Sequence, residues 1–309
     1  MDYKIIVLDL DGTLTNRDKI ITPRTKEALM NAQEAGNVVV LASGRPTAGV
    51  EPLARELELS RFGSYILSYN GGMITNCKTG ETVFSSLLPR ESNQKIIGLA
   101  EEHRVDILTY EGEEIITNNV ECPYAIAESN INHLPLRQVE DMKSYVDFKV
   151  PKFLMLDDGD YLVTVEPKVK AAMGRDFSVY RSEPYFLEIM PKGIDKARSL
   201  ARLLEVLGLD REQMIACGDG YNDLTMIKYA GLGVAMENAV LPVRQAADYI
   251  TASNNHDGVG LVVESSCCPE RVRENSRKHT WKKCGESAGK NALIKSPATY
   301  GLSDFNMLK

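Results

Sequence analysis

The segment IIVLDLDGTL, residues 5–14, joins four consecutive apolar residues to two aspartates and an Asp-Gly turn. Four apolar residues in a row predict a strand that is buried on both faces, as in a parallel sheet covered by helices. Asp9 and Asp11 stand two positions apart where this strand ends, so both lie at the edge where open α/β sheets bind ligands. An isolated Asp-Gly pair would indicate only a helix-capping turn, but two aspartates directly after a buried strand favour a site.

These two carboxylates predict a cation site. Like charges this close repel each other, and burying them without compensation costs several kcal/mol. Mg²⁺ is the cation that we expect, because it binds to a few carboxylates and completes its coordination with water and substrate phosphate.

Strands and helices alternate along the chain after this segment. Thr22-Pro23 predicts the start of a helix and Gly36 its end, and the mostly apolar segments 37–42 and 65–69 predict two further buried strands. The same alternation returns after residue 194. We therefore predict an α/β fold whose core is a Rossmann-like, doubly wound parallel sheet.

The middle of the chain shows a different pattern. Short amphipathic strands alternate there with helices, which predicts an inserted α+β domain at residues 83–187 and a split core at 1–82 and 188–264. Pro and Gly residues within 88–90 and 190–193 interrupt the apolar repeats of both helices and strands, and they indicate hinges between the two domains.

Two polar elements of the core predict anion binding. Ser43-Gly44 follows the second strand and offers a hydroxyl and backbone N–H groups at a helix start, although a simple helix cap is the alternative. Lys192 and Lys196 stand at another helix start, where the helix dipole disfavours cations, so a compensating anion is expected. The alternative is that both ammonium groups reach into solvent.

The segment CGDGYND, residues 217–223, supplies further carboxylates after another predicted strand. Its glycines allow the backbone to approach a ligand closely. Asp223 alone could simply start a helix. Asp219, however, is expected to lie near the three other polar segments described above, which favours a shared site.

Composition excludes several classes of protein. The chain has 309 residues, 43% hydrophobic, with 36 Lys+Arg against 43 Asp+Glu and a net charge of −7, which is typical of a globular protein of two domains. No apolar run approaches a membrane span, and no secretory signal is recognised, so we expect a cytoplasmic protein with no membrane partner. Six cysteines without a C-x-x-C pattern indicate reduced thiols, and the acidic balance argues against nucleic acid as a partner.

Residues 265–309 form a different kind of segment. They hold nine Lys/Arg and four Asp/Glu, a net charge of +5, which leaves −12 for residues 1–264. The segment shows no sustained apolar period, so we expect a disordered, dispensable basic tail.

In order and spacing, these elements resemble the four motifs of the haloacid dehalogenase-like superfamily, in its Cof-type subclass with a class IIB cap. The likeness covers residues 1 to about 264 and includes Asn70-Gly71 after the third strand and the segment 257–259. Within the subclass the chain is similar to bacterial sugar-phosphate phosphatases, through residues 48–50 and 184–189. The resemblance implies a Mg²⁺-dependent hydrolase of small phosphate esters, and a cap that closes over the substrate.

The resemblance also implies roles for individual residues. Asp9 would be the nucleophile that forms an aspartyl phosphate, and Asp11 would be the general acid and base. Lys196 is preferred to Lys192 because its position relative to Gly193 matches the family. Phosphate binding is implied for Leu10, Ser43, Gly44, Lys196 and Asn222, and metal binding for Asp9, Asp219, Asp223 and the carbonyl of Asp11.

Two other functions remain open at this stage. A phosphotransferase of the phosphomannomutase type would use the same residues to pass the phosphoryl group to a second sugar hydroxyl. A non-catalytic sensor of sugar phosphates would bind the same ligand without turnover. For any of these functions we expect a monomer or a weak homodimer.

Overall fold

A computed structural model describes residues 2–267 of the chain. The strands, in chain order, are β1 Ile5–Leu8, β2 Val38–Ala42, β3 Tyr65–Ser68, β4 Met73–Asn76, β5 Thr82–Ser85, β6 Asp106–Glu111, β7 Glu114–Thr117, β8 Leu136–Gln138, β9 Phe153–Leu156, β10 Phe177–Glu183, β11 Phe186–Pro191, β12 Met214–Gly218, β13 Leu232–Ala235 and β14 Tyr249–Ile250. The α-helices are α1 Pro23–Glu34, α2 Thr47–Glu56, α3 Leu59–Phe62, α4 Arg90–His103, α5 Pro123–Asn132, α6 Met142–Tyr145, α7 Gly159–Met173, α8 Lys196–Leu207, α9 Leu224–Tyr229, α10 Leu241–Ala246 and α11 Gly258–Cys267.

The first sheet has eight strands in the order β14-β13-β12-β1-β2-β3-β4-β5. The six strands from β14 to β3 are parallel, and β4 and β5 add an antiparallel edge. All four residues of β1 are buried, because the strand lies between β12 and β2 with helices on both faces. The predicted α/β fold with a doubly wound core is confirmed.

Local sequence explains where the first helix of the core begins. The Thr22 side chain accepts a hydrogen bond from the backbone N–H of Thr25, and Pro23 occupies the first helical position. Proline is tolerated there because its missing N–H would have no partner within the helix. This start fixes the return of the chain from β1 towards β2.

The second sheet is the inserted α+β domain, here called the cap. Its six strands follow the order β10-β11-β9-β6-β7-β8 and are mostly antiparallel. One apolar cluster lies within the cap, and another joins cap residues to Tyr69 of the core. The cap therefore packs on the core beside the carboxyl end of β3, which Tyr69 directly follows.

Sheet membership places the ends of the cap slightly later than the sequence pattern does. β5 ends at Ser85 and still belongs to the core sheet, whereas β11 runs to Pro191 within the cap sheet. We propose 86–191 as the cap range in place of 83–187, because strand pairing decides which domain a segment packs with.

The end of the described chain differs from the expectation for the basic tail. Helix α11 continues through residues 265–267, which composition had assigned to the tail. The rest of that prediction, for residues 268–309, falls outside the described residues. Within residues 2–267, no helix has the length and apolar character needed to cross a membrane.

Candidate active site

The candidate site lies at the carboxyl edge of the core sheet. Asp9, Ser43 and Asp219 each follow the last residue of a strand, β1, β2 and β12 respectively. These strands are parallel neighbours, so their ends meet at the same edge. Parallel pairing brings together residues that are far apart in sequence.

A buried lysine links two carboxylates at this edge. Lys196 Nζ donates hydrogen bonds to Asp9 Oδ1 at 2.6 Å and to Asp223 Oδ1 at 2.6 Å. Its third hydrogen bond goes to the carbonyl oxygen of Ala42 at 2.8 Å. All three donors of the ammonium group are therefore used, and the side chain is completely buried.

Three carboxylates form a cluster around that lysine. Oxygen atoms of Asp9, Asp219 and Asp223 all lie within 4.8 Å of one another. Lys196 supplies one positive charge against three negative charges. Lys192, the other lysine considered for this role, is exposed. Lys196 thus compensates for the cluster only in part.

The electrostatics of the cluster show the same deficit of positive charge. Burial, and then the charge of Asp223, raise the pKa of Asp9 well above its ordinary value. Burial also raises the pKa of Asp219, to about 6. Burial acts to lower the pKa of Lys196, but Asp223 and Asp9 outweigh it, so the ammonium stays charged. Oxygen ligands with surplus negative charge are the donor set that suits Mg²⁺.

Asp223 is the most constrained carboxylate of the cluster. Its Oδ2 accepts hydrogen bonds from the backbone N–H groups of Asp219 and Gly220, both at 2.9 Å, while its Oδ1 accepts from Lys196. A side chain on Gly218 would meet Asp223, since a Cβ atom there would lie 2.5 Å from the Asp223 Cβ atom. Asp223 therefore positions both Lys196 and the loop that carries Asp219.

Asp219 is positioned from the opposite loop. Thr13 Oγ1 donates to Asp219 Oδ1 at 2.9 Å. Gly12 has φ +84°, and a Cβ atom there would lie 2.3 Å from Asp219 Oδ2, so only glycine fits. Asn238, which no sequence pattern indicated, donates to the Gly12 carbonyl at 2.8 Å and fixes the same loop.

Asp11 lies outside the carboxylate cluster and pairs with two cations. Arg45 binds it in a bidentate manner, with Nε 2.9 Å from Oδ2 and Nη2 2.7 Å from Oδ1, and Lys19 Nζ lies 2.7 Å from Oδ1. Burial alone raises the pKa of Asp11, but the hydrogen bonds and charges of Arg45 and Lys19 outweigh it and hold the pKa below its ordinary value. Sequence reasoning missed both cations, although Arg45 directly follows Ser43-Gly44.

The residues expected to bind phosphate surround the cluster. Ser43 is buried, and its Oγ accepts from the backbone N–H of Arg45 at 3.2 Å. Gly44 faces Asn70, whose Oδ1 accepts from Asn222 Nδ2 at 3.0 Å. Leu10 is buried, so only its backbone is suited to bind a ligand.

The cap contacts the site at three points that sequence reasoning did not find. Each is a hydrogen bond between one cap residue and one core residue close to Ser43 or Asn222. They are Arg45 Nη1 to the Ile131 carbonyl at 3.2 Å, Lys152 Nζ to the Gly44 carbonyl at 3.5 Å, and Asn70 Nδ2 to the Tyr180 hydroxyl at 3.4 Å.

Known proteins match the described chain over nearly its whole length. The profile of the haloacid dehalogenase-like hydrolases matches residues 6–263. A solved haloacid dehalogenase-like hydrolase from Bacteroides thetaiotaomicron is 49% identical, with a TM-score of 0.83, over 85% of this chain and 99% of that one. The subclass IIB sugar phosphatase BT4131 is 25% identical, with a TM-score of 0.70, over 85% of this chain and 98% of that one. A presumed phosphatase of Bacillus subtilis (strain 168), YxeH, is 32% identical over 264 residues, which are 84% of this chain and 97% of that protein.

Proposed function

Because the chain belongs to the haloacid dehalogenase-like hydrolase family, we propose that it is a Mg²⁺-dependent phosphatase of small phosphorylated metabolites, with sugar phosphates as its substrates. The observation that carries the proposal is the carboxylate of Asp9, which is buried at the end of β1 and bonded to Lys196. The likeness to a sugar phosphatase supports the substrate class.

In the first step, an Asp9 oxygen forms a bond to phosphorus while the bond between phosphorus and the ester oxygen breaks. Lys196 stabilises negative charge that develops on the phosphoryl oxygens next to Asp9. In this proposal the Ser43 hydroxyl and the backbone N–H of Gly44, which follow β2, hold those oxygens.

In the second step, water attacks the aspartyl phosphate and the bond between phosphorus and Asp9 breaks. Asp11 accepts a proton from that water and, in the first step, gives a proton to the leaving alkoxide. With Arg45 and Lys19 beside it, Asp11 is ionised, which suits the accepting role. The donating role requires a protonated Asp11, so its carboxylate must leave Arg45 and take up a proton from solvent before it meets the ester oxygen.

The carboxylates fit a divalent cation, and Asp9 and Asp219 would hold it with Asp223 behind them. When bound, Mg²⁺ would neutralise part of the negative charge of the phosphoryl group.

A panel of phosphate esters, assayed for inorganic phosphate with Mg²⁺ and with EDTA, tests the proposal. We expect release with Mg²⁺, little release with EDTA, and none from the Asp9→Asn variant. Formation of a sugar phosphate isomer without phosphate release would indicate a phosphotransferase instead. Equal release from Asp9→Asn and the unaltered protein would contradict the proposal.

A further inference from the structure

A buried ion pair lies in the cap, away from the carboxylate cluster. Lys152 Nζ lies 3.1 Å from Glu188 Oε1, and the two side chains are only 4% and 5% exposed. Glu188 belongs to β11, and Lys152 directly precedes the neighbouring strand β9. Burying such a pair removes two charges from water, and apolar residues of similar size are often as stable. Stability alone therefore does not explain the pair.

The pair is part of a chain of polar groups that joins both sides of the catalytic site. Lys152 Nζ reaches the carbonyl of Gly44 at 3.5 Å, which places the ammonium group over the Ser43-Gly44 loop. On the other side, the Tyr180 hydroxyl donates to Glu188 Oε2 at 3.2 Å and lies 3.4 Å from Asn70 Nδ2. The chain of polar groups therefore lies where the cap meets the phosphate-binding loop.

We propose that Lys152 and Glu188 form the leaving-group subsite of this phosphatase and bind hydroxyl groups of an uncharged, polyhydroxylated leaving group. The inference rests on the proposed function and names which ester the site selects. In the proposed mechanism Asp9 attacks the phosphoryl group and Ser43 holds it, so the leaving group would extend towards the cap residue that contacts Gly44. Lys152 is that residue.

The chemistry of the pair favours hydroxyl groups over a second anion. Of the about four acceptor positions of the Glu188 carboxylate, Lys152 and the Tyr180 hydroxyl use two, and of the three donors of the Lys152 ammonium group, Glu188 and the Gly44 carbonyl use two, so both groups keep capacity for a ligand. The charges of Lys152 and Glu188 cancel, so the pair has no net positive charge. A leaving group that carried a second phosphate or a carboxylate would need such a charge to bind. The ring of Tyr110, 5.8 Å from Lys152 Nζ, adds an apolar wall that suits the carbon face of a sugar.

The test compares two substrates in the same proteins. One is whichever pentose or hexose monophosphate the unaltered protein hydrolyses best, and the other is p-nitrophenyl phosphate, which lacks sugar hydroxyls. The variants are Glu188→Gln and the double variant Lys152→Met with Glu188→Met, which leaves no unpaired buried charge and is expected to fold. Glu101→Gln is the matched control, because Glu101 pairs with Lys143 in an exposed part of the cap.

We expect kcat/KM for the sugar phosphate to fall about 10- to 100-fold in both variants, because buried polar groups discriminate strongly between substrates with and without hydroxyls. For p-nitrophenyl phosphate we expect less than about a threefold change. Glu101→Gln should leave both values unchanged. The ratio of kcat/KM for the sugar phosphate to kcat/KM for p-nitrophenyl phosphate does not change if part of the protein is unfolded, because unfolded protein hydrolyses neither ester.

Three results would overturn the inference. The first is an equal loss on both substrates, which would make the pair a structural link between cap and core. The second is an unchanged value for the sugar phosphate in the variants. The third is an unaltered protein that hydrolyses p-nitrophenyl phosphate but no sugar phosphate, which would refute this subsite and leave the phosphatase activity intact. Failure of the unaltered protein on every ester would refute the proposed function itself.

Discussion

The ammonium group of Lys196 lies 2.6 Å from Asp9 Oδ1, although 187 positions separate the two residues in the chain. The cap domain is inserted between them, yet both stand at the same edge of the core sheet. Because Lys196 also binds Asp223 at 2.6 Å, one buried cation organises the two most buried carboxylates of the cluster.

Replacing Lys196 should affect both stability and catalysis. In Lys196→Met, Asp9 and Asp223 lose their cation while they remain buried, so without divalent metal we expect a loss of about 3–5 kcal/mol in the free energy of unfolding. Mg²⁺ should restore part of that loss, whereas phosphate release should stay at least about 100-fold low. Thermal unfolding with EDTA and with Mg²⁺ measures the first effect. Lys192→Met, at an exposed position, is the control, and equal stability of both variants in EDTA would refute the account.

Replacing Gly12 should weaken metal binding through Asp219. An alanine Cβ atom would lie 2.3 Å from Asp219 Oδ2, so Gly12→Ala must displace that carboxylate. We expect the Mg²⁺ concentration for half-maximal activity to rise about tenfold or more, since outer contacts of a metal ligand typically carry that much affinity. Gly80→Ala is the matched control, because Gly80 has a similar φ of +73° with no atom within 4 Å of the added Cβ. The same Mg²⁺ requirement in both variants would contradict the placement of Asp219.

Arg45 should matter more for poor leaving groups than for good ones. Arg45→Gln removes the bidentate partner that positions Asp11, so we expect kcat/KM for alkyl phosphates, which reports the step that releases the alcohol, to fall about 10- to 100-fold. The p-nitrophenolate group leaves without protonation, so its release should fall less. Steady-state rates with both esters measure the difference, and Arg55→Gln, which alters only an exposed pair with Glu51, is the control. Equal losses of kcat/KM for both esters would show that Arg45 does not act through protonation of the leaving group.

Mg²⁺ affinity should increase with pH. The pKa values of Asp9 and Asp219 are raised, that of Asp219 to about 6, so below that pH protons compete with the metal for the same oxygen atoms. Raised carboxylate pKa values mean that binding releases protons and that the apparent affinity grows from pH 5 towards 8. Calorimetric titration with Mg²⁺ in two buffers of different ionisation enthalpy measures the protons released. Affinity independent of pH over this range would contradict the cluster as the metal site.

Much of the fold and of the carboxylate cluster could be predicted from the sequence because both depend on strand ends. Asp9 and Asp219 each follow a short apolar run, and parallel pairing then brings the ends of β1 and β12 together. Lys196 could be placed by the helix start that follows the second hinge. No pairing between distant side chains was needed for these predictions.

The contacts made by long side chains could not be predicted in this way. Lys19 reaches Asp11 across a turn that has a positive φ at Lys19, and Arg45 reaches it from the loop that follows β2. Glu188 interrupts an apolar strand and Lys152 directly precedes one. Each charge is equally compatible with an exposed position until the sheet order is known. The edge strand β5 was similarly ambiguous, because its partner β4 decides which sheet it joins.

The central claim is that the phosphoryl group passes through Asp9, and the Asp11→Asn variant tests it most directly. Without Asp11 to activate water, the aspartyl phosphate should accumulate when this variant is mixed with p-nitrophenyl phosphate and Mg²⁺ and quenched in acid. Mass spectrometry of the peptide that contains Asp9 should then show one phosphoryl group on that residue, and none in a variant that also carries Asp9→Asn. Release of p-nitrophenolate with Asp9 unmodified, at the same rate in both variants, would contradict the account.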